Sequence, residues 1–226
     1  MDKIQIGWFI GLAASSIILF LGYFLFSSMN YKKRFKDKYD ARNHFPYEFN
    51  YESRLTDNIF GNIALLLSMT FSVGLFALGL SYFKTNGYML IAVIIGVLYS
   101  ILVIVINFIP LKTIKTHLAF AVILFVLAFI APATNGLTAF NIYQQTKLTY
   151  PFVVMIISFV VALFMFALVM NPKLSLNIKM NVATDEKGNE YYVRPKYIAI
   201  AFTEWMMCFA ILVNQLLFIL VIVALL

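Results

Sequence analysis

The stretch YMLIAVIIGVLYSILVIVINFIP, Tyr88 to Pro110, decides the fold. Its 23 residues include no charged side chain, and about 20 helical residues suffice to cross a hydrocarbon core about 30 Å thick. Its apolar residues are continuous and do not alternate, and lipid offers nothing to a free backbone N–H or C=O. A helix therefore fits and a barrel strand does not.

Five further runs have the same character: Ile6 to Met29, Ile59 to Phe83, Leu118 to Phe140, Tyr150 to Met170 and Tyr197 to Leu226. The six runs hold 146 of the 226 residues, and only 12% of the chain is charged, against about a quarter in a soluble domain. The expectation is an all-α polytopic membrane protein. Residues 1–226 form one domain, a bundle of six transmembrane helices over 6–29, 59–83, 88–110, 118–140, 150–170 and 197–226. The first run follows only Met-Asp-Lys-Ile-Gln, is too long for a signal-peptide core and has no small-residue cleavage site, so it is expected to remain as a helix.

Lys and Arg set the orientation, because positive loops stay in the cytoplasm during insertion. Loop 31–58 holds seven, loop 111–117 two and loop 171–196 five, leaving Lys3, Lys84 and Lys147 for the other side. This division places both termini outside a cell's plasma (cytoplasmic) membrane and the two long loops in the cytoplasm. The formal charge of +7 then reflects topology and anionic lipid, with no nucleic acid implied.

Catalytic constellations are missing. Cys208 is the single cysteine, and His44 and His117 fall at loop positions, so no Cys/His metal-ligand set exists. There is no G-x-S-x-G, every aspartate lies in a loop or tail, and no glycine pattern cradles phosphate. No enzyme activity, catalytic residue, cofactor or metal is expected.

The long loops are more informative. From Leu174 the chain reads LSLNIKMNV, in which Leu174, Leu176, Ile178, Met180 and Val182 alternate with polar residues, the period of a half-buried strand. Asp185 to Asn189 follow, with Gly188 able to close a short turn, and then Glu190, Tyr191, Tyr192, Val193 and Arg194. A cytoplasmic β-hairpin is predicted between helices five and six. Leu176, Ile178, Met180, Gly188, Tyr191 and Tyr192 are its candidate partner-docking residues, the alternative being a connector that covers the bundle. In the first loop Phe45, Tyr47, Phe49 and Tyr51 also alternate. They read either as an irregular edge strand beside the hairpin, limited by Pro46, or as an aromatic belt at the lipid headgroups. The basic cluster YKKRFKDKYDAR before them suits anionic lipid.

Inside the spans the polarity is neutral. Ser15, Ser16, Ser68, Thr70, Ser72, Tyr99, Ser100 and Ser158 lie near mid-depth, where hydroxyls bond back along their helix, support close packing or line a path. The fourth span contains APATNGLTAFN, whose Pro132, Asn135 and Gly136 predict a kink or a break toward the outer end. In transporters such breaks bind solutes, so Thr134, Asn135, Thr138 and Asn141 are residues to test, against a simple helix end.

The sixth run, 30 residues long, exceeds the hydrocarbon thickness. Counting back from Leu226 puts Glu204 and Trp205 at the cytoplasmic interface as anchors, with Arg194 and Lys196 as charge partners; a tilted helix would draw Glu204 inward. Asn214 and Gln215 then fall near the bilayer centre, and Glu204, Cys208, Ile211 and Gln215 share one face. Asn135, Asn214, Gln215, Ser100 and Thr70 are the candidate polar core or solute path. Two functions follow. One is a non-catalytic membrane subunit that associates with another membrane or cytoplasmic protein, as a component of a transport or envelope-maintenance complex. The other is a small stand-alone channel or transporter for a neutral or weakly charged solute.

Overall fold

A computed structural model describes residues 3–50, 55–82, 87–109, 114–174, 181–184 and 190–225. Six long apolar helices dominate it: α1 Lys3–Phe35, α2 Ile59–Tyr82, α3 Gly87–Phe108, α4 Ile114–Thr146, α5 Thr149–Val169 and α6 Ala199–Val223. Each is long and apolar enough to cross a membrane, and the chain is a multi-pass membrane protein.

The helices follow one another around the bundle. α1 packs on α2, α2 on α3, α3 on α4 and α4 on α5, while α6 touches all five. Burial agrees with this arrangement, since 61% of the apolar span of α6 is enclosed against 22% for α5. α5 turns Val153, Ile156, Val160, Leu163 and Phe164 outward, away from the other helices.

Helix ends depart from the sequence reading in three places. α1 continues to Phe35, so Lys32, Lys33 and Arg34 form its last turn, and Lys36, at φ 54°, ends it in the left-handed region. α4 begins early enough to include His117, which sequence placed in a loop. The helix then runs unbroken through Pro132, Asn135 and Gly136 to Thr146, with Lys147 at φ 57° closing it. The predicted break is absent, and Thr134 and Thr138 donate back to the carbonyls of Ala131 and Thr134 of the same helix at 2.8 Å.

A two-stranded hairpin forms between α5 and α6, as expected. Its strands are β1 Asn181–Thr184 and β2 Glu190–Val193, antiparallel, with Val182 opposite Tyr192 and Ala183 opposite Tyr191. Leu176, Ile178, Met180 and Gly188 lie outside the described residues. Among the described residues the sheet has two strands, and the first loop adds none. Pro46–Phe49 instead forms a 3-10 turn, with Pro46 at its start and the Phe45 N–H donating to Glu48 Oε1 at 3.1 Å. Phe45, Tyr47 and Phe49 are buried in protein and do not form a headgroup belt, while Tyr51 is outside the described residues.

Candidate functional site

Up-and-down connectivity gathers the loops after α1, α3 and α5 at one end of the bundle. There the first loop folds down over α6. Ile198 N–H donates to the Arg42 carbonyl at 2.8 Å, Asn43 Nδ2 to the Pro195 carbonyl at 3.2 Å and Asn50 Nδ2 to the Asn107 carbonyl at 3.2 Å. Arg194 reaches across from the end of the hairpin to Glu48, with Nη1 at 2.8 and 3.1 Å from the two carboxylate oxygens. At the loop's exposed edge, Asp40 grips Arg42 at 2.6 Å, and the guanidinium holds its carboxyl down at about 2.

Trp205 is the floor of this cap. It is 1% exposed, and its ring lies among those of Tyr23, Phe24, Tyr39, Phe49 and Phe209, with centroids 5.1 to 6.4 Å away. Its indole N–H donates to Tyr39 Oη at 2.8 Å and to the His44 carbonyl at 3.0 Å. The Tyr39 hydroxyl passes its own hydrogen to the Phe45 carbonyl at 2.8 Å, and burial pushes this phenol well above its ordinary range.

Beside Trp205, Glu204 faces inward. Its Oε1 lies 3.2 Å from His117 Nε2, with the two side chains 1% and 3% exposed. His117 Nδ1 is 2.8 Å from the Ile109 carbonyl, and the Tyr47 ring covers the imidazole edge-on at 5.3 Å. Glu204 Oε2 has no hydrogen-bond partner among the described residues. One turn further, the Cys208 thiol is fully buried, near Asn107, whose Oδ1 accepts from the Tyr23 hydroxyl.

Glu204 and Trp205 thus differ from the picture of headgroup anchors: both are enclosed by protein. Glu204 pairs with His117, Arg194 goes to Glu48, and Lys196 is exposed. The sequence reading missed the pair because His117 was assigned to a loop. The signal was present, since His117 opens α4 and Glu204 lies near the start of α6, two helix starts that share one end of the bundle.

Deeper along α6, the candidate core residues divide. Gln215 Nε2 donates to Ser16 Oγ at 3.0 Å and Ser72 Oγ at 2.9 Å; Ser72 meets Ser100 at 2.7 Å, and Ser68 donates to the Ser16 carbonyl at 2.7 Å. One side chain of α6 thereby ties together α1, α2 and α3. Asn214, its neighbour, accepts from Asn135 Nδ2 of α4 at 2.8 Å. Thr70 lies outside this cluster, exposed and bonded to the Leu66 carbonyl of its own helix.

No protein-family model, curated protein or solved structure matches this chain. The site is therefore read from its own chemistry. It offers a buried acid and base at the loop end and amide and hydroxyl bonds along the bundle axis. Among the described residues no group of three His, Cys, Asp or Glu side chains is arranged to hold a metal.

Proposed function

We propose that the protein is a non-catalytic membrane subunit whose loop end faces the cytoplasm and binds a second protein, as one component of a membrane transport or envelope-maintenance complex. The observation that carries this reading is the hairpin surface: Val182 and Tyr192 face each other across the strands at 56% and 77% exposure. A two-stranded hairpin is marginal alone and gains stability from cover on its apolar face. The loop end around it is cross-tied by the Glu48–Arg194 pair, which presents the hairpin on a fixed base. Of the 17 Lys and Arg residues, 14 fall in the loops at this end or in the helix turns that adjoin them, which supports its cytoplasmic placement. Lys33 and Asp57 line an open surface cavity of about 320 Å³ with Phe26, Asn30 and Phe60, and the basic cluster at the end of α1 suits anionic lipid headgroups.

The test is purification in mild detergent from the native membrane. A stoichiometric partner should co-purify, and Val182→Ser with Tyr192→Ser should release it without altering the yield or helicity of the bundle. A wild-type chain that purifies alone would refute the reading.

A stand-alone channel or transporter is the second reading, favoured by buried acceptor oxygens on Glu204, Gln215 and Asn135 that lack partners among the described residues. Solute flux in reconstituted liposomes that falls with Asn135→Leu and Asn214→Leu would support it, and absence of flux for every solute class would remove it.

A further inference from the structure

The Glu204–His117 contact has a chemical requirement of its own, independent of any binding partner. The Ile109 carbonyl oxygen lies 2.8 Å from His117 Nδ1. A carbonyl only accepts, so Nδ1 carries the hydrogen. In a neutral ring Nε2 then presents a lone pair, and it faces Glu204 Oε1 at 3.2 Å. A carboxylate also only accepts. Two acceptors held this close, with almost no exposure to water, repel.

One proton removes the conflict. It can reside on Nε2, giving imidazolium and carboxylate, or on Oε1, giving imidazole and carboxylic acid; either way the pair is neutral and one hydrogen bond joins α4 to α6. We propose that His117 and Glu204 form a buried binding site for a single proton, and that release of this proton lifts the first loop from α6.

The surroundings leave little else to take up the charge. From the first loop, Tyr47 covers the imidazole, and Glu48 lies close enough to act electrostatically on Glu204 while being committed to Arg194. From α6 the near titratable group is the Cys208 thiol; from α3 there are the amide of Asn107 and the hydroxyl of Tyr99, which bonds the Met207 carbonyl; from α1 there is the hydroxyl of Tyr23, bonded to Asn107. Lys115 on α4 and Asp57 before α2 are exposed. Without the proton, Glu204 would be a buried anion with Oε2 unpartnered and Oε1 against a lone pair. Water reaches that charge once the Pro46–Phe49 turn, which roofs the imidazole through Tyr47, moves away.

Linkage sets the sign. The closed state holds one proton more than the open state, so raising pH favours opening by up to about tenfold per pH unit. Glu204→Gln is informative because the glutamine can turn its NH₂ toward Nε2 and supply permanently the hydrogen that the proton supplies in the wild type.

Two measurements on the full chain in nanodiscs test the site. In the unmodified protein, ¹⁵N-histidine NMR, with His44→Gln distinguishing the two imidazoles, and infrared bands of the carboxyl groups locate the proton. A protonated Nε2 beside an ionised Glu204, or a bare Nε2 beside a protonated Glu204, supports the site. A bare Nε2 with an ionised carboxylate, the loop still closed, overturns it. Hydrogen exchange of residues 42–50, corrected for intrinsic exchange, then follows opening. The wild type should open more as pH rises, and Glu204→Gln should stay closed without that dependence. Wild-type opening that ignores pH, or a glutamine variant that keeps the dependence, overturns the coupling.

Discussion

Replacing Trp205 with alanine should undock the first loop while leaving six helices in place. The ring is enclosed by five others, and an aromatic of this kind buries roughly 200 Å², worth up to about 5 kcal/mol at about 25 cal/mol per Å². Relaxation of the surrounding rings reduces the loss, and Trp→Ala substitutions in protein cores cost about 3–5 kcal/mol. The Trp205 ring is shared among α6, Tyr23 and Phe24 of α1, and Tyr39 and Phe49 of residues 36–50, so part of the cost falls on loop docking and part on the seam between α1 and α6. The undocked population should rise by at most roughly two to three and a half powers of ten at about 1.4 kcal/mol per tenfold. Trp205→Phe retains most of the ring and removes the N–H that bonds Tyr39 and His44, a loss of about 1 kcal/mol, roughly fivefold. Hydrogen exchange of the 36–50 peptides in nanodiscs measures both. If the alanine variant exchanges less than about fivefold faster than wild type, Trp205 lies among lipid headgroups and the seated loop is wrong.

Other substitutions test other layers. A Cβ at Gly96 would lie 2.5 to 2.7 Å from the ring of Phe76, which is itself buried against Phe218, so Gly96→Ala should cost about 1–3 kcal/mol in detergent unfolding, while Gly11→Ala, with open space around it, should cost nothing measurable. The Asn135–Asn214 bond should appear in a double-mutant cycle with leucine as a coupling of about 0.6 kcal/mol and at most about 1.7, as for other hydrogen bonds between spanning helices; Thr70→Val should leave stability unchanged. Asp40, depressed to about 2 by Arg42, contributes loop stability that is fully present above its unfolded value of about 3.9 and is lost as pH falls toward 2. Asp40→Asn should abolish that part of the acid response in the exchange of residues 38–44.

Span number and position were legible because continuous apolar runs have only one stable form in lipid. That Glu204, Cys208, Ile211 and Gln215 share one face of α6 was also legible from their spacing, whereas the enclosure of Glu204 by protein was not. Residue pairing was not legible, because it depends on which helices are neighbours: Gln215 reaches Ser16 across 199 positions and Asn135 reaches Asn214 across 79. Alternation misled at Phe45 to Phe49, where the aromatic pattern resembles a strand but Pro46 and the Glu48 bond to Phe45 N–H stabilise a 3-10 turn. The fourth span misled in the opposite sense. Its proline and glycine weaken a helix locally, yet Thr134 and Thr138 bond back to their own helix and α5 packs alongside.

The central position of α6 has a consequence for how the protein is made. Ribosomes deliver helices in order, so α1 to α5 enter the bilayer before the helix that contacts them all exists. During that interval Ser16, Ser72 and Asn135 lack their Gln215 and Asn214 partners, and the place of Trp205 under the first loop is vacant. A chain stopped before residue 199 would keep the packing of α1 on α2, α2 on α3, α3 on α4 and α4 on α5, but its Ser16, Ser72 and Asn135 would lack the amide partners that α6 supplies. Assembly of this bundle should therefore be completed from its C-terminal side, as a late step that depends on the arrival of one helix.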